Sequence, residues 1–266
     1  MARRDVVALA VDALQVEEQL LDDLVGGLDD AGWARPTPSP GWAVHEQIGH
    51  LALSEEWATL AATDPEAFGA MLDDIVADLG AFAHEAEARI RERPASAVLT
   101  WWRTQRAATL DAVRSLPEGT RIPWFGPPMS VRSFLTARLM ETWAHGQDVR
   151  DALGVDPSVS DRLRDIAHLG VITRRFTYAN RGREAPDAEV RVELRSPSDE
   201  TWAWGDEDLP DRVVGKALDF CLVVTQRRNV ADTGLVVEGP VADEWMRIAQ
   251  VFAGPPTDPP RSRAPR

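Results

Sequence analysis

The chain of 266 residues contains one cysteine, one lysine and one tyrosine, and it lacks any long hydrophobic run. A single cysteine, Cys221, excludes an internal disulfide framework and is typical of a reducing compartment. No stretch approaches the roughly 18 consecutive apolar residues that a membrane-spanning helix needs. The N-terminal segment has Asp5, Asp12 and Gln15 among its apolar positions, so it does not read as a signal peptide. We therefore expect a cytoplasmic protein.

Positive charge is also scarce. The chain has 29 basic against 43 acidic residues, which gives a formal net charge of -14. Nucleic-acid binding usually needs a basic face, and an anionic membrane surface attracts basic segments. The sequence therefore predicts neither a nucleic-acid partner nor a membrane partner.

Apolar residues at helical spacing dominate the first part of the chain. This spacing predicts helices over about 5–28, 42–62, 65–93, 98–116 and 131–153, the last with Ser130 as its N-cap and Gly154 at its end. The segment 117–128, which contains Trp124 and Phe125, reads as a loop. Long helices joined by short turns are typical of an antiparallel bundle.

The pattern changes after Pro157. Strict polar and apolar alternation over 189–194 predicts a strand, with a hairpin partner at 201–205 and a further strand at 235–239. Helices are predicted over 160–178, 211–228 and 241–252. We therefore predict an α+β fold with a helical bundle over 1–156, a smaller α/β domain over 157–254 and a disordered, Pro- and Arg-rich tail over 255–266.

Three side chains are candidate metal ligands. Glu141 and His145 are four positions apart on a predicted helix, so they point to the same face of it. His50 lies in another predicted helix. Two imidazoles and one carboxylate suit a divalent ion such as zinc, with a fourth position left open. An isolated Glu-x-x-x-His is more often a surface pair, so the interpretation requires that His50 converge with the other two.

Two segments carry a family resemblance. Residues 38–51 read Pro-Ser-Pro-Gly-Trp-Ala-Val-His-Glu-Gln-Ile-Gly-His-Leu, and residues 141–149 read Glu-Thr-Trp-Ala-His-Gly-Gln-Asp-Val. Together they resemble the signature of the mycothiol-dependent maleylpyruvate isomerase N-terminal family, which belongs to the DinB-like group of four-helix metal proteins. The resemblance covers roughly residues 5–155. It implies a DinB-like four-helix bundle with metal ligands at His50, Glu141 and His145.

The resemblance also implies a function. The family uses a small-molecule thiol as cosubstrate, mycothiol in actinobacteria, and the scarcity of lysine beside abundant arginine agrees with such a source. A divalent ion, with zinc favoured, would hold that thiol as thiolate. We expect a mycothiol-dependent transferase or isomerase acting on a small electrophilic substrate. The alternative is a non-enzymatic metal-binding stress or regulatory module, and the oligomeric state is left open.

Other features allow two interpretations each. Glu46 and Asp148 are placed to accept hydrogen bonds from ligand imidazoles, or they are ordinary helix-surface charges. Trp124 and Phe125 line a substrate pocket, or they serve only to pack the loop. The second domain resembles the smaller α/β partner of some family members, and its strand and helix pattern also resembles sterol-carrier-like domains, which would give it a lipid- or ligand-binding role.

Overall fold

The computed structural model describes residues 3–262 and divides the chain into two compact units, Met1–Pro157 and Ser158–Arg266. The first unit is mainly helical and the second contains the larger sheet, which confirms the predicted α+β class. The domain limits 1–156, 157–254 and 255–266 stay predictions, and their first two and last four residues lie outside the described part. Within that part, every helix is too short or too polar to span a membrane.

The first unit consists of helices and one β-hairpin. Its elements are α1 Arg3–Val25, α2 Asp30–Trp33, α3 Val44–Thr63, α4 Pro65–Ala77, α5 Leu79–Arg91, α6 Ala95–Ser115, β1 Arg121–Trp124, β2 Gly126–Ser130 and α7 Val131–Leu153. The predicted helix over 65–93 is in fact two helices. Asp78 separates them with extended φ and ψ angles of -151° and 83°, and its side chain caps α5 by accepting from the Ala81 amide.

The caps predicted for α7 are confirmed. The Ser130 hydroxyl accepts from the Ser133 amide at 3.2 Å, which satisfies one of the unpaired donors at the start of the helix. Gly154 follows the last turn with a φ of 71°, the left-handed conformation that glycine adopts without strain. These two ends set the length of the helix that contains Glu141 and His145.

The four long helices, α1, α3, α6 and α7, form the bundle. Between α1 and α6, Asp22 accepts from Arg103 at 2.9 Å and Gln15 accepts from Arg114 at 3.0 Å, so these two helices run antiparallel. The helices α3 and α7 are also antiparallel, as the contacts of the candidate site show below. These two pairings agree with the antiparallel bundle predicted from the sequence.

The other two neighbouring pairs run in the same direction. Glu56 and Thr59 on α3 contact Trp101 and Thr109 on α6 in the same order along both helices. The first halves of α1 and α7 share one apolar cluster, and their second halves share another. The parallel α3–α6 pair is possible because α4 and α5 carry the chain back along the bundle between them.

The bundle core consists of two apolar clusters. One includes Leu14, Phe134 and Leu139, and the other includes Leu21 and Trp102. Buried polar side chains lie between them on the same helices. We call this set the polar belt, and its members are Glu18 on α1, Glu55 on α3, Thr109 on α6 and Arg138 on α7.

The segment predicted as a loop over 117–128 contains the hairpin of β1 and β2. Two prolines, Pro127 and Pro128, argue against a strand in the sequence, because proline cannot donate to a ladder. Here the sheet has only two strands, so each strand has an edge where a missing donor costs nothing. Trp124 stacks on Phe68 at 5.6 Å and belongs to the apolar core, so its observed role is packing.

The second unit has a four-stranded sheet in the order β4-β3-β5-β6. The strands β3 and β4 form the predicted hairpin, β3 and β5 are parallel, and β5 and β6 are antiparallel. Helices α8 and α10 pack together. The elements are α8 Leu163–Ile172, α9 Arg174–Ala179, β3 Arg191–Arg195, β4 Thr201–Trp204, β5 Arg212–Lys216, α10 Ala217–Val224, a 3₁₀ turn Val230–Asp232, β6 Val236–Glu238 and α11 Pro240–Ile248.

The predicted helix over 211–228 is wrong in its first part, which forms the inner strand β5. Short apolar runs fit a strand and a helix equally well by periodicity. Val213 and Val214 are β-branched and favour the strand once partners exist on both sides. Gly215 suits the close approach of the chain there, because an added Cβ would lie 3.2 Å from the Leu235 Cα atom and 3.3 Å from the Gly234 carbonyl oxygen.

The close approach of α3 to α5 gives a first prediction. A Cβ on Gly49 would overlap the Cγ2 of Ile90 and lie 3.2 Å from the Ile90 Cβ. We expect Gly49→Ala to lower the free energy of unfolding by about 1–3 kcal/mol, as overpacking of a core does. The measurement is urea unfolding followed by circular dichroism.

Gly69→Ala on α4 is the matched control, because nothing lies within 4 Å of a Cβ at that position. It should be neutral or stabilise the helix by up to about 1 kcal/mol. The double variant Gly49→Ala/Ile90→Ala should recover stability relative to Ile90→Ala alone. Equal unfolding curves for Gly49→Ala and the wild type would contradict the described contact.

Candidate metal centre

The helix α7 presents Glu141 and His145 on one face, one turn apart. The His145 Nε2 atom lies 3.3 Å from the Glu141 Oε2 atom. The side chains of Glu141 and His145 are 17% and 13% exposed, so both lie mostly inside the bundle. The sequence prediction that these two side chains share a face is confirmed.

The helix α3 brings His50 to the same point. Its Nε2 atom lies 3.7 Å from the Glu141 Oε2 atom, and its ring centroid is 4.5 Å from that of His145. The possible ligand atoms of the three residues all lie within 4.8 Å of one another. In the described part of the chain this is the one group of three or more His, Cys, Asp or Glu side chains with such spacing.

The donor set fits a divalent ion. Two ligand atoms about 2.1 Å from a tetrahedral zinc ion lie about 3.4 Å apart. The two measured separations to Glu141, 3.3 Å and 3.7 Å, bracket that value. His50 is 29% exposed, so the cluster is accessible from solvent on that side. The geometry therefore suits a three-ligand site with one further position for a small molecule.

The charge state of Glu141 also suits a ligand. Burial alone would raise its pKa, but hydrogen bonds from His145 and His50 outweigh burial and hold the pKa well below the usual range. The charges of His145 and Arg138 act in the same direction. Glu141 is therefore a carboxylate at neutral pH.

Trp42, just before α3, packs against both imidazoles. Its ring centroid is 5.2 Å from that of His50 and 6.0 Å from that of His145, nearly parallel to the latter. This contact restricts the orientation of the two rings. Trp42 therefore belongs to the surroundings of the site.

Sequence reasoning missed Gln47. This side chain is completely buried, and its Oε1 atom lies 2.6 Å from the Nδ1 atom of His145. Its Nε2 atom donates to the Thr37 hydroxyl at 2.9 Å. The available signal was a polar residue one turn before His50, on a face otherwise buried.

The two acidic candidates have other partners. Glu46 accepts from the backbone amide of Ala43 at 2.9 Å and so closes the N-terminal turn of α3. Asp148 accepts from the Ser39 hydroxyl at 3.1 Å, which ties the loop before α3 to α7. These contacts give both carboxylates a role in holding the elements that position the site.

The polar belt lies next to the cluster along the bundle. Arg138 is 2% exposed, donates to the Ser54 hydroxyl and lies 3.6 Å from Glu55, which is 1% exposed. Burial, together with the charge of Glu55, raises the pKa of Glu18 to about 9. Burial also raises the pKa of Glu55, against the opposing charge of Arg138. Glu18 is therefore protonated at neutral pH.

Other candidate side chains lie apart from the cluster. The His45 ring bonds to the carbonyl of Arg93 at 2.9 Å, and His168 accepts from the indole of Trp204 at 3.1 Å. Cys221 is completely buried, and burial strongly raises the pKa of its thiol. A thiol in that environment is a poor nucleophile.

The second unit contains a cavity of about 560 Å³ at its sheet. Its lining includes five charged side chains, namely Glu193, Arg195, Asp199, Lys216 and Asp219. Lipid-binding cavities are mainly apolar, so this lining does not favour a lipid ligand. The sterol-carrier-like comparison stays a prediction.

Fold and site together define a class of protein, a four-helix bundle with a His–Glu–His cluster between two antiparallel helices, followed by a small α/β unit. The family described as the mycothiol maleylpyruvate isomerase N-terminal domain matches residues 14–150. That range is more than half of the chain and includes all three residues of the cluster. The chain belongs to this family, and the resemblance seen in the two sequence segments is confirmed.

Relatives and solved structures extend the match to both units. Two uncharacterized proteins of Mycobacterium tuberculosis, from strains CDC 1551 and H37Rv, are each 44% identical over 243 residues, 91% of this chain and 95% of each relative. The crystal structure of the mycothiol-dependent maleylpyruvate isomerase has a TM-score of 0.57 at 15% identity, and a mutant of that enzyme has 0.59 at 16%. Each covers 88% of this chain and 95% of the solved chain, which shows a shared fold.

The polar belt gives a second prediction, on pH. The folded-state pKa of Glu18 is raised, so its contribution to stability is complete below about pH 4.5 and is lost as the pH rises toward about 9. We expect wild-type stability to fall over this window. In Glu18→Gln the side chain stays neutral over this window. The free energy of unfolding of this variant should therefore fall less steeply than that of the wild type, with a difference in slope of up to about 1.4 kcal/mol per pH unit.

Denaturant unfolding at several pH values measures this difference. Glu85→Gln removes one carboxylate from the exposed face of α5 and serves as the control, which should follow the wild type. Parallel stability curves for Glu18→Gln and the wild type between pH 5 and 9 would show that Glu18 is not the group responsible.

Proposed function

We propose that the protein is a metal-dependent enzyme of the mycothiol-dependent type. It would transfer or isomerise a small electrophilic substrate, with a low-molecular-weight thiol as cosubstrate. A divalent ion, with zinc favoured, would be held by His50, Glu141 and His145. The observation that carries the proposal is the convergence of these three side chains, with ligand atoms within 4.8 Å, in a chain of this family.

The charge of the donor set supports this chemistry. Two neutral imidazoles and one carboxylate leave a divalent ion with a net charge near +1. When bound, such an ion supplies a Lewis acid that lowers the pKa of a thiol at its open position. Glu141 contributes the negative charge, because its pKa lies well below the usual range.

The residues around the ligands have separate roles. Trp42 packs against one side of both imidazoles and restricts their orientation. His50 is the most exposed of the three ligands, so we expect the thiol and the substrate to approach beside it. Glu46 and Asp148 hold the start of α3 and the preceding loop in place.

The nucleophile would come from outside the chain. Cys221 is the one cysteine, and it lies buried in α10 of the second unit with a raised thiol pKa. A thiol-dependent reaction at the cluster therefore needs a separate thiol compound. This requirement agrees with a family named for its use of mycothiol.

A non-enzymatic metal-binding module is the second candidate. It would use the same three ligands, but its fourth position would be closed by the protein. The exposed edge of His50 favours an open site and hence the enzyme. The two candidates differ in whether an added thiol reaches the ion.

The third prediction concerns metal content. Protein purified without chelators should contain about one zinc or similar divalent ion per chain by mass spectrometry. His50→Ala and His145→Ala should each lose it, because two ligands and solvent hold zinc poorly. His45→Ala is the matched control on α3, since its ring bonds to the Arg93 carbonyl instead.

Metal retained in both ligand variants would place the ion elsewhere in the protein. A wild type that takes up no ion even after reconstitution would end the enzyme proposal. The bundle would then be a structural or binding module that keeps the fold of its family.

The fourth prediction separates the open site from the closed one. Cobalt replaces zinc and reports its ligands through its visible absorption. Adding a small monothiol, and then mycothiol, should change the spectrum of the cobalt protein saturably. A spectrum that ignores both thiols would identify a closed site and favour the non-enzymatic module.

A further inference from the structure

We infer that Gln47 is a positioning residue that fixes the tautomer and the orientation of His145. The inference rests on the proposed function, because it assigns the His145 Nε2 atom to the ion. It is carried by the 2.6 Å contact between the Gln47 Oε1 atom and the His145 Nδ1 atom. Gln47 is completely buried, so water does not compete for this contact.

The direction of the hydrogen bond follows from the partners of Gln47. The Thr37 hydroxyl donates its one proton to the carbonyl of Trp42 at 2.9 Å. The same hydroxyl therefore acts as the acceptor toward the Gln47 amide nitrogen, at 2.9 Å. With the nitrogen facing Thr37, the amide oxygen faces His145.

An oxygen facing the ring defines the tautomer. The amide oxygen accepts only, so the Nδ1 atom of His145 must carry the proton. The Nε2 atom is then the nitrogen left to bind the ion, and in the metal-free protein it faces the Glu141 carboxylate at 3.3 Å. A carboxylate accepts only, so Nε2 donates to it there, and a bound ion would take the place of that proton. The network thus reserves the Nδ1 atom for Gln47 and the Nε2 atom for the ion, and it does so before any ion is present.

The same chain of bonds reaches the ring that covers the site. Thr37 bonds to the carbonyl of Trp42, and the Trp42 indole stacks on the His145 imidazole with an interplanar angle of 24°. His145 is therefore held at its Nδ1 atom and across its face by residues on one network. Partners of this kind typically account for 10–100-fold in metal affinity.

The direct test is a measurement of the ring nitrogens of His145 by ¹⁵N NMR on the wild type, both metal-free and loaded with zinc. His145→Ala assigns the signals. We expect the Nδ1 atom to carry a proton in both states, whereas the neutral tautomer that a free imidazole prefers leaves this atom without one. A metal-free protein in which the Nδ1 atom of His145 lacks a proton would overturn the inference, whether or not the protein binds a metal.

Variants supply the second test. Gln47→Met keeps the volume and removes the acceptor, so zinc or cobalt affinity should fall about 10–100-fold in chelator competition, and the tautomer preference should be lost. Gln47→Glu keeps an acceptor and should bind with wild-type affinity or better. Thr37→Val frees the amide to turn and should give a smaller loss.

Gln147→Met is the matched control, because Gln147 is equally buried but donates to Asp151 at 2.8 Å. It should leave both metal affinity and the His145 signals unchanged. Equal affinities for Gln47→Met and Gln147→Met would overturn the positioning role. A protein that binds no metal but keeps a proton on the His145 Nδ1 atom would contradict the proposed function while supporting the Gln47 contact.

Discussion

The antiparallel packing of α3 against α7 is the constraint on which the candidate site and much of the core depend. It places His50 beside Glu141 and, further along the same two helices, Glu55 beside Arg138. Because the two helices are antiparallel, later positions on α3 face earlier positions on α7. A shift of one helix by one turn would therefore separate every such pair at once. The site is therefore a consequence of helix register more than of any loop.

The same helices bury charged side chains, and the apolar clusters must offset the free energy that this burial costs. Buried charges lose hydration, and replacing them with well-packed apolar side chains often stabilises a protein. Here the belt formed by Glu18, Glu55, Thr109 and Arg138 occupies buried positions on the same helices as the two apolar clusters. Arg138 lies one turn before Glu141, and its charge helps to keep the pKa of Glu141 low. The belt thus links the stability of the bundle to the electrostatics of the site.

Local signals allowed much of this to be predicted from the sequence. Helical spacing gave the long helices, Ser130 and Gly154 gave the ends of α7, and the one-turn spacing of Glu141 and His145 gave a shared face. Features that depend on distant partners were missed. The strand β5 is stabilised by neighbours on both sides, and the hairpin tolerates its prolines only because its sheet has two strands. The one sequence signal for Gln47 was a polar residue on an otherwise buried face, and it did not identify the partner His145, which is 98 positions away.

The separation of the ligands along the chain has a mechanical consequence. His50 and Glu141 are 91 positions apart, so an ion bound to both would close a loop that includes α4, α5, α6 and the hairpin. A covalent tie across a loop of that length would stabilise a fold by about 4–5 kcal/mol through the entropy of the unfolded chain. A chain with one cysteine cannot form such a tie from sulfur. An ion between α3 and α7 would be a cross-link that the cell can install or remove by changing the supply of metal.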